Sequence, residues 1–430
     1  MKNVREGYKI TELGEIPFDW EIVNIDKVSE FVGSGVTPKG GQSVYKAEGI
    51  PFIRSQNVYP QGLFLNNIAY IDEEQNEKMK RTKIQDEDIL LNITGASIGR
   101  CTLVPIGFGR GNVNQHVCII RTTDKTNPQY ISICLNSEIG KKQIDSFNGG
   151  SSREGLNFQQ VRGIKLPMPI LIEQQKISLI LSSVDEKIEN TDKLIEKSKE
   201  LKKGLMQRLL TKGIGHDRFK DTETGRIPEE WEVRKMKDII ETTQLGTNAI
   251  GSNDIEKGIP MIKMGNLLIG GFNFDKVQYI KNGDFDINKE FVLKKGDFLF
   301  NTRNTLDLVG KSSTWNNQLA LAIFNSNIMR IQYKIDIDSF YMSYYFADNI
   351  GWRQLKSIAK GTTSVGAIYT KDLINIKVKI PPLNEQVKIA LILSSVDEKI
   401  NQYQFKKEKL QELKKGLMQK LLTGKIRVKV

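Results

Sequence analysis

Histidine is nearly missing from this chain: of 430 residues only two are histidine, His116 and His216. A multi-histidine metal site is thereby excluded, and an acid–base dyad would need an unusual arrangement. Cysteine is almost as scarce. Cys101, Cys118 and Cys134 are odd in number, fall in one half and have no Cys-x-x-Cys spacing, so neither a disulfide framework nor a zinc knuckle is indicated and a reducing compartment fits. No run of about 18 apolar residues occurs, which argues against a membrane span. The opening "MKNVREGYKITELGEIP" lacks the apolar stretch of an export signal, so the cytoplasm is the expected location.

Catalytic motifs are also lacking. "VGKSS" at 309–313 contains Gly-Lys-Ser, yet position 305, where a phosphate-cradling loop needs its first glycine, is Thr305. "GFGRGN" at 107–112 has no third glycine where a dinucleotide fingerprint requires one, and reads as a turn. No Gly-x-Ser-x-Gly elbow is present. "IPPLNEQ" places a leucine where amino-methylating DNA enzymes hold their target base with an aromatic ring. Asp185 and Glu186 read as a solvated helix face, and His116 as a hydrogen-bonded structural residue at the start of a strand. No catalytic group, metal or cofactor is expected.

What the chain has in excess is positive charge. Lys and Arg number 63 against 51 Asp and Glu, giving a net charge of +12 and a pI near 9.3. Such an imbalance favours a polyanionic partner, nucleic acid before an anionic membrane surface; a basic surface kept for solubility is the plainer alternative. A hydrophobic fraction of 39% is ordinary for a globular protein and excludes wholesale disorder. The length calls for two or three compact parts of about 100–200 residues each.

It also has a repeat. "LILSSVDEKI" occupies 179–188 and returns at 391–400, and residues 169–211 align with 381–423, the second identical block being "ELKKGLMQ". A period this long means two copies of a domain with its connector. Upstream the kinship is weaker: "TELGEIPFDWEIV" at 11–23 matches "TETGRIPEEWEVR" at 222–234, "GIPFIRSQNV" at 49–58 echoes "GIPMIKMGNL" at 259–268, and "DEDILLN" at 86–92 echoes "KGDFLFN" at 295–301. The expected organisation is a first domain at 1–168, a connector helix at 169–212, a second domain at 213–380 and a second connector at 381–430.

Ile177, Leu181, Val184, Ile188, Thr191 and Ile195 follow steps of four and three, the spacing that keeps one seam facing a partner helix. Leu201, Leu205 and Leu209 continue an apolar stripe after a slip in register. The second copy repeats the seam with Ile389, Leu393, Val396, Ile400 and Tyr403, followed by Leu410, Leu413 and Leu417. Prolines at 167, 169, 381 and 382 suit helix starts, and Gly213 and Gly424 suit helix ends. Each helix should run about 55 Å and pair antiparallel with the other, placing the domains about an approximate two-fold axis; packing of each helix on its own domain is the alternative. In the globular parts, short β-rich runs such as "HVCIIRT" and "NIMRIQY" alternate with turns, while "PQYISICLNSEIGKKQID" and "DSFYMSYYFADNIGWRQLKSI" look helical. The fold class is α+β: two mixed α/β domains separated by two long antiparallel coiled-coil helices.

The candidate site residues are binding groups. In the first domain they are Arg54, Gln56, Asn57, Arg100, Arg110, Asn114, Gln115 and Arg153. In the second they are Lys263, Asn266, Arg303, Asn304, Lys311, Asn325, Lys360, Thr362 and Thr363. Arginine, lysine and amide side chains make the contacts to base edges and phosphates that DNA recognition needs. Turn chemistry for the asparagines and plain solvation for the lysines are the alternatives.

The chain resembles the specificity subunit of type I restriction-modification systems. The likeness is carried by "IPFIRSQNV", "DILLNITGASIGRC", "NQHVCIIR", "GGSSREGLNFQQVRGIKLPMP", the paired "EQQKISLILSSVDEKI" and "EQVKIALILSSVDEKI", and "LKKGLMQRLLT" with "LKKGLMQKLLT". It implies two target-recognition domains, each reading one half of a split double-stranded DNA site. It implies also that the helices serve as spacer and as docking surface for two methyltransferase subunits, with restriction subunits joining through them, and that the chain has no catalysis of its own. A docking seam left empty would favour self-association of the isolated chain. Two departures stand out: "IKMGNL" replaces "IRSQNV", and "NTRNTLDLVGKSS" replaces "NITGASIGRC". A complete modification enzyme would need methyl-donor and target-base motifs that are absent, and a purely structural coiled coil would bind DNA with shallow salt dependence.

Overall fold

The structure, a computed structural model, describes residues 4–40, 44–148, 155–253, 258–281, 289–362 and 365–429. Its two compact units are not consecutive segments: the first comprises Met1–Asp192 with Phe405–Val430, the second Lys193–Gln404. Each unit therefore contains a stretch of both long helices, Leu171–Lys212 and Leu383–Leu421, which are 42 and 39 residues long.

In the first unit a four-stranded antiparallel sheet runs in the order Cys101–Leu103, Ile89–Asn92, Val117–Thr122, Ser29–Ser34. Its strands are apolar on both faces because both faces are covered. Ile89, Leu91, Cys118 and Ile120 point into a core shared with the helix Pro128–Asn136, while Leu90, Val117 and Ile119 point into a smaller core with Ile53, Val58 and Val113. A second sheet orders Asn112–Val113, Ile50–Ile53 and Ala69–Ile71. The strand Lys165–Met168, which pairs with Glu21–Asn24, leads directly into the first long helix.

The second unit repeats this plan. Its four-stranded sheet orders Ser312–Thr314, Phe298–Asn301, Ile328–Tyr333 and Ile240–Leu245, with Phe298, Phe300 and Ile331 on one core and Leu299 and Ile328 on the other. Glu232–Lys235 pairs with Lys377–Ile380 ahead of the second long helix. The runs "HVCIIRT" and "NIMRIQY" are strands in both units, as expected. Each run expected to be helical is two helices instead: Pro128–Asn136 and Glu138–Asn148 in the first unit, Ser339–Ala347 and Asn349–Ile358 in the second. The chain breaks at Ser137 and Asp348, which are extended. The second helix of each pair can then fold back closely, because a Cβ at Gly140 would lie 2.3 Å from the Leu135 carbonyl oxygen and one at Gly351 2.1 Å from that of Tyr345.

The long helices run antiparallel inside each unit. Lys414 pairs with Asp185 and Lys407 with Asp192 (each Nζ–Oδ1, 2.5 and 2.6 Å) in the first unit; Lys202 pairs with Asp397 at 2.5 Å in the second. Moving from Asp185 to Asp192 along one helix moves back by the same seven residues, from Lys414 to Lys407, along the other. The seam is only partly a helix–helix contact. Ile177 and Leu181 sink into the first unit's core beside Leu421 and Leu422, and Ile389 and Leu393 into the second's beside Leu209 and Leu210. Val184, Ile195 and Ile400 are buried, Ile188, Val396 and Tyr403 half-buried. Leu201 and Leu413 lie off the stripe, 56% and 50% exposed. Both alternatives thus hold at once: each helix packs on its own domain at its start and on its partner beyond it. Gly213 and Gly424 end the helices with φ of +64°, a left-handed conformation that glycine adopts without steric cost.

All three cysteines are buried in the first unit, where burial pushes each thiol up to about 12. Thiol reagents at pH 8 should leave the folded chain unlabelled and modify all three cysteines once denaturant opens the first unit. Fast labelling of the native chain would contradict this packing.

Candidate nucleic-acid interface

The inner ends of the sheet strands carry the same backbone frame in both units. The Asn92 amide donates to the Arg100 carbonyl at 2.8 Å, as Asn301 does to Lys311 at 2.8 Å; Gly99 returns a bond to Asn92 at 2.8 Å and Gly310 to Asn301 at 2.9 Å. The Asn114 amide donates to Ile53 and the Asn325 amide to Ile262, both at 3.0 Å. This network fixes a register that the letters left open: Arg100 matches Lys311, Asn114 matches Asn325, and Arg54 matches Lys263.

All five candidate asparagines are occupied by turns. The Asn57 side chain accepts from the Arg54 amide at 3.0 Å and donates to the Phe64 carbonyl at 2.8 Å; Asn266 accepts from Lys263 at 3.0 Å and donates to Asn273 at 3.1 Å. Both are buried. Asn114 and Asn325 accept the backbone amides of His116 and Asn327, and Asn304 accepts that of Thr305 while donating to Asn301. An amide whose oxygen closes a turn is set back from a groove, so these five shape the loops from beneath. The Asn92 Oδ1 is buried as well and has no hydrogen-bond partner among the described residues.

The cations divide differently. Arg110 forms an exposed ion pair with Glu73, and Lys360 reaches Asp372 at 2.8 Å. The Lys263 ammonium donates to Gln278 at 2.8 Å. The Arg54 guanidinium donates to the Asn67 carbonyl at 3.2 Å and lies 5.3 Å from the Tyr45 ring centre, with a buried Nε that has no partner among the described residues. Gln56, Gln115 and Arg303 are exposed, and Gln115 touches His116 at 3.3 Å. Thr362 is exposed, its amide bonded to the Val365 carbonyl at 2.9 Å. Arg153 and Thr363 lie outside the described residues. His116 is held by Thr94 at 2.6 Å, in keeping with a structural histidine. Among the described residues no group of His, Cys, Asp and Glu could hold a metal ion, and no helix is long and apolar enough to cross a membrane.

The sequence reading missed the groups that brace the starts of the long helices. Trp20 donates to Glu173 at 3.2 Å, and Arg427 grips the same carboxylate at 2.8 and 2.9 Å; Trp231 donates to Glu385 at 3.0 Å, and His216 contacts both its oxygens at 3.0 Å. The neighbouring Gln174 and Gln386 accept from the backbone amides of Asn127 and Asp338, the residues whose side chains cap Pro128–Asn136 and Ser339–Ala347, at 3.0 and 2.8 Å. The repeated Glu-Gln at the start of each long helix, with a tryptophan repeated at 20 and 231, was the available signal. Buried pairs Arg121–Asp88 and Arg330–Asp297 also recur. Lys356 bonds the carbonyls of Leu306 and Val309, both at 2.8 Å, and steadies that loop from below.

Residues 17–200 and 228–415 match the type I restriction modification DNA specificity domain twice over, most of the chain. The chain belongs to that family. Specificity chains that it resembles include the putative type I restriction enzyme MjaX specificity subunit of Methanocaldococcus jannaschii, 29% identical over 440 residues and covering 99% of this chain and 97% of that one. The MjaVIII specificity subunit of the same organism is 27% identical over 443 residues with the same coverage. In fold, the specificity chain is similar to the type I restriction-modification S subunit from M. genitalium, with a TM-score of 0.57 at 15% identity, covering 94% of this chain and 96% of that one.

Proposed function

We propose that this chain is the DNA-reading subunit of a cytoplasmic type I restriction-modification complex, each unit reading one half of a split double-stranded target. The observation that carries this reading is one scaffold bearing two different rims. The bracing carboxylates, buried ion pairs and turn asparagines recur, whereas the exposed residues of these loops do not: the position of Gln56 is taken by Gly265 in the second unit, and that of the loop 93–99 by the differently composed 302–310. Exposed variety on a repeated frame is what two half-sites of different sequence require.

The long helices have the opposite character. Leu179 and Leu391 are exposed at equivalent positions in the identical decapeptide, beside Ser183 and Ser395 and the exposed Glu186 and Glu398. An apolar group left in water at the same place in both copies supports docking of two methyltransferase subunits, and of restriction subunits through them. The chain supplies no catalytic group of its own, and the paired helices set the distance between half-sites.

Co-expression with the neighbouring methyltransferase subunit in a host without DNA methylation, followed by genome-wide mapping of modified bases, tests the reading. One split motif, lost when the partner is omitted, is expected. A stable complex that methylates nothing would leave a scaffold without sequence-reading domains.

A further inference from the structure

Several part-buried cations of the two units are matched by carboxylates, whereas Arg100 and Lys311 are among those that are not. Arg121 is matched by Asp88 and Arg330 by Asp297, and Arg234 by Asp336. Lys311 is only 8% exposed, yet its ammonium makes no hydrogen bond or ion pair among the described residues, and burial draws it below the usual lysine range. Arg100, its equivalent by the backbone bonds, is half-buried and rests 4.9 Å from the centre of the Tyr59 ring, with no carboxylate partner among the described residues. A cation that is partly stripped of water and has no counter-charge is held at a cost unless an anion arrives.

The placement is the same in both units. Each cation follows a glycine of positive φ, Gly99 at +82° and Gly310 at +90°, and each glycine is packed against the second domain helix, at Ile144 and Leu355. Each cation is also fixed through its own carbonyl to the end of a central sheet strand, Asn92 or Asn301. The loop that arrives at it differs: seven residues, 93–99, in the first unit and nine, 302–310, in the second. Rigid position, equal charge and no counter-ion describe a contact that is independent of sequence, and a replaced loop describes one that is not.

We propose that Arg100 and Lys311 are equivalent anchors for the DNA sugar-phosphate backbone, one per unit, and that sequence is read by the loops they close, with the exposed Arg303 a specificity-determining residue of the second. This assignment rests on the DNA-reading function proposed above. Arginine and lysine can serve at the same place because a phosphate accepts a charge-assisted hydrogen bond from either a guanidinium or an ammonium. Tyr59 under Arg100 replaces the burial that positions Lys311, and Lys356 holds the second loop in shape for reading.

The test uses the full-length chain and a pool of double-stranded DNA with a randomised stretch, bound at several salt concentrations and sequenced after retention. Lys311→Met and Arg100→Met should each weaken every duplex about tenfold, flatten the dependence of log affinity on log salt by about one, and retain the same sequences as the parent. Lys311→Arg should restore the slope. Arg303→Ala should change the retained sequence in one half only. If Lys311→Met does not fold, Arg100→Met at the more exposed position gives the same readout. A changed motif, or an unchanged salt slope, in both methionine variants while the parent still selects a motif would overturn the anchors alone. A parent chain that selects no sequence and binds without salt dependence would remove the DNA-reading function, and the anchors with it.

Discussion

Replacing Glu385 with alanine should cost the second unit about 3–5 kcal/mol, the combined penalty for leaving three donors without their buried acceptor, and lower its unfolding midpoint on the order of 10 °C. The carboxylate, itself buried, accepts from the Trp231 indole at 3.0 Å, the Ile214 amide at 2.8 Å and His216 at 3.0 Å, so alanine leaves three groups without an acceptor. Glu173→Ala should do the same to the first unit, with a smaller loss, because Arg427 retains Asp19 at 2.8 and 2.9 Å near the surface. The two variants can be told apart by chemistry. Since Cys101, Cys118 and Cys134 all belong to the first unit, Glu173→Ala should speed thiol labelling in mild urea, and Glu385→Ala should not. Equal acceleration by both would mean that neither cluster acts within its own unit.

A matched insertion should change the DNA target without changing what either half reads. Four residues placed between Asp192 and Lys202 of the first long helix, and four between Asp397 and Lys407 of the second, preserve Lys414–Asp185 and Lys407–Asp192 in one unit and Lys202–Asp397 in the other. Each insertion adds about 6 Å of helix, equivalent to roughly two base pairs of duplex. The methylated motif, mapped with the methyltransferase partner present, should keep both specific halves and gain about two unspecified bases between them. Insertion into the first helix alone shifts Ile195 and Lys202 against their neighbours, and methylation should fall at least tenfold. An unchanged gap in the matched variant would remove the helices as the spacing device.

The long helices were legible because their cause is local. Heptad steps from Ile177 to Ile195, prolines before each start and Gly213 and Gly424 at the ends act within a few residues, and the structure ends the first helix at Lys212, immediately before Gly213. The repeat was legible for a similar reason, since identity between two stretches needs no knowledge of contacts. The candidate site was less so. Arginine, glutamine and asparagine can be picked out as letters, but an asparagine that closes a turn and a side chain that faces solvent look alike there, and only the accepted backbone amides separate Asn57 and Asn266 from Gln56 and Gln115.

By itself the sequence determined two copies of an α+β domain, two long amphipathic helices and an excess of positive charge, all properties that follow from composition, spacing and repetition. Tertiary structure alone decided which parts of the chain close on one another. Arg427 meets Glu173 across 254 positions and His216 meets Glu385 across 169, each unit taking a stretch of both helices. It alone also decided that Arg100 and Lys311 hold equivalent positions in the two units. Contacts of that kind depend on burial and on distances across the fold, and no local pattern of side chains encodes them.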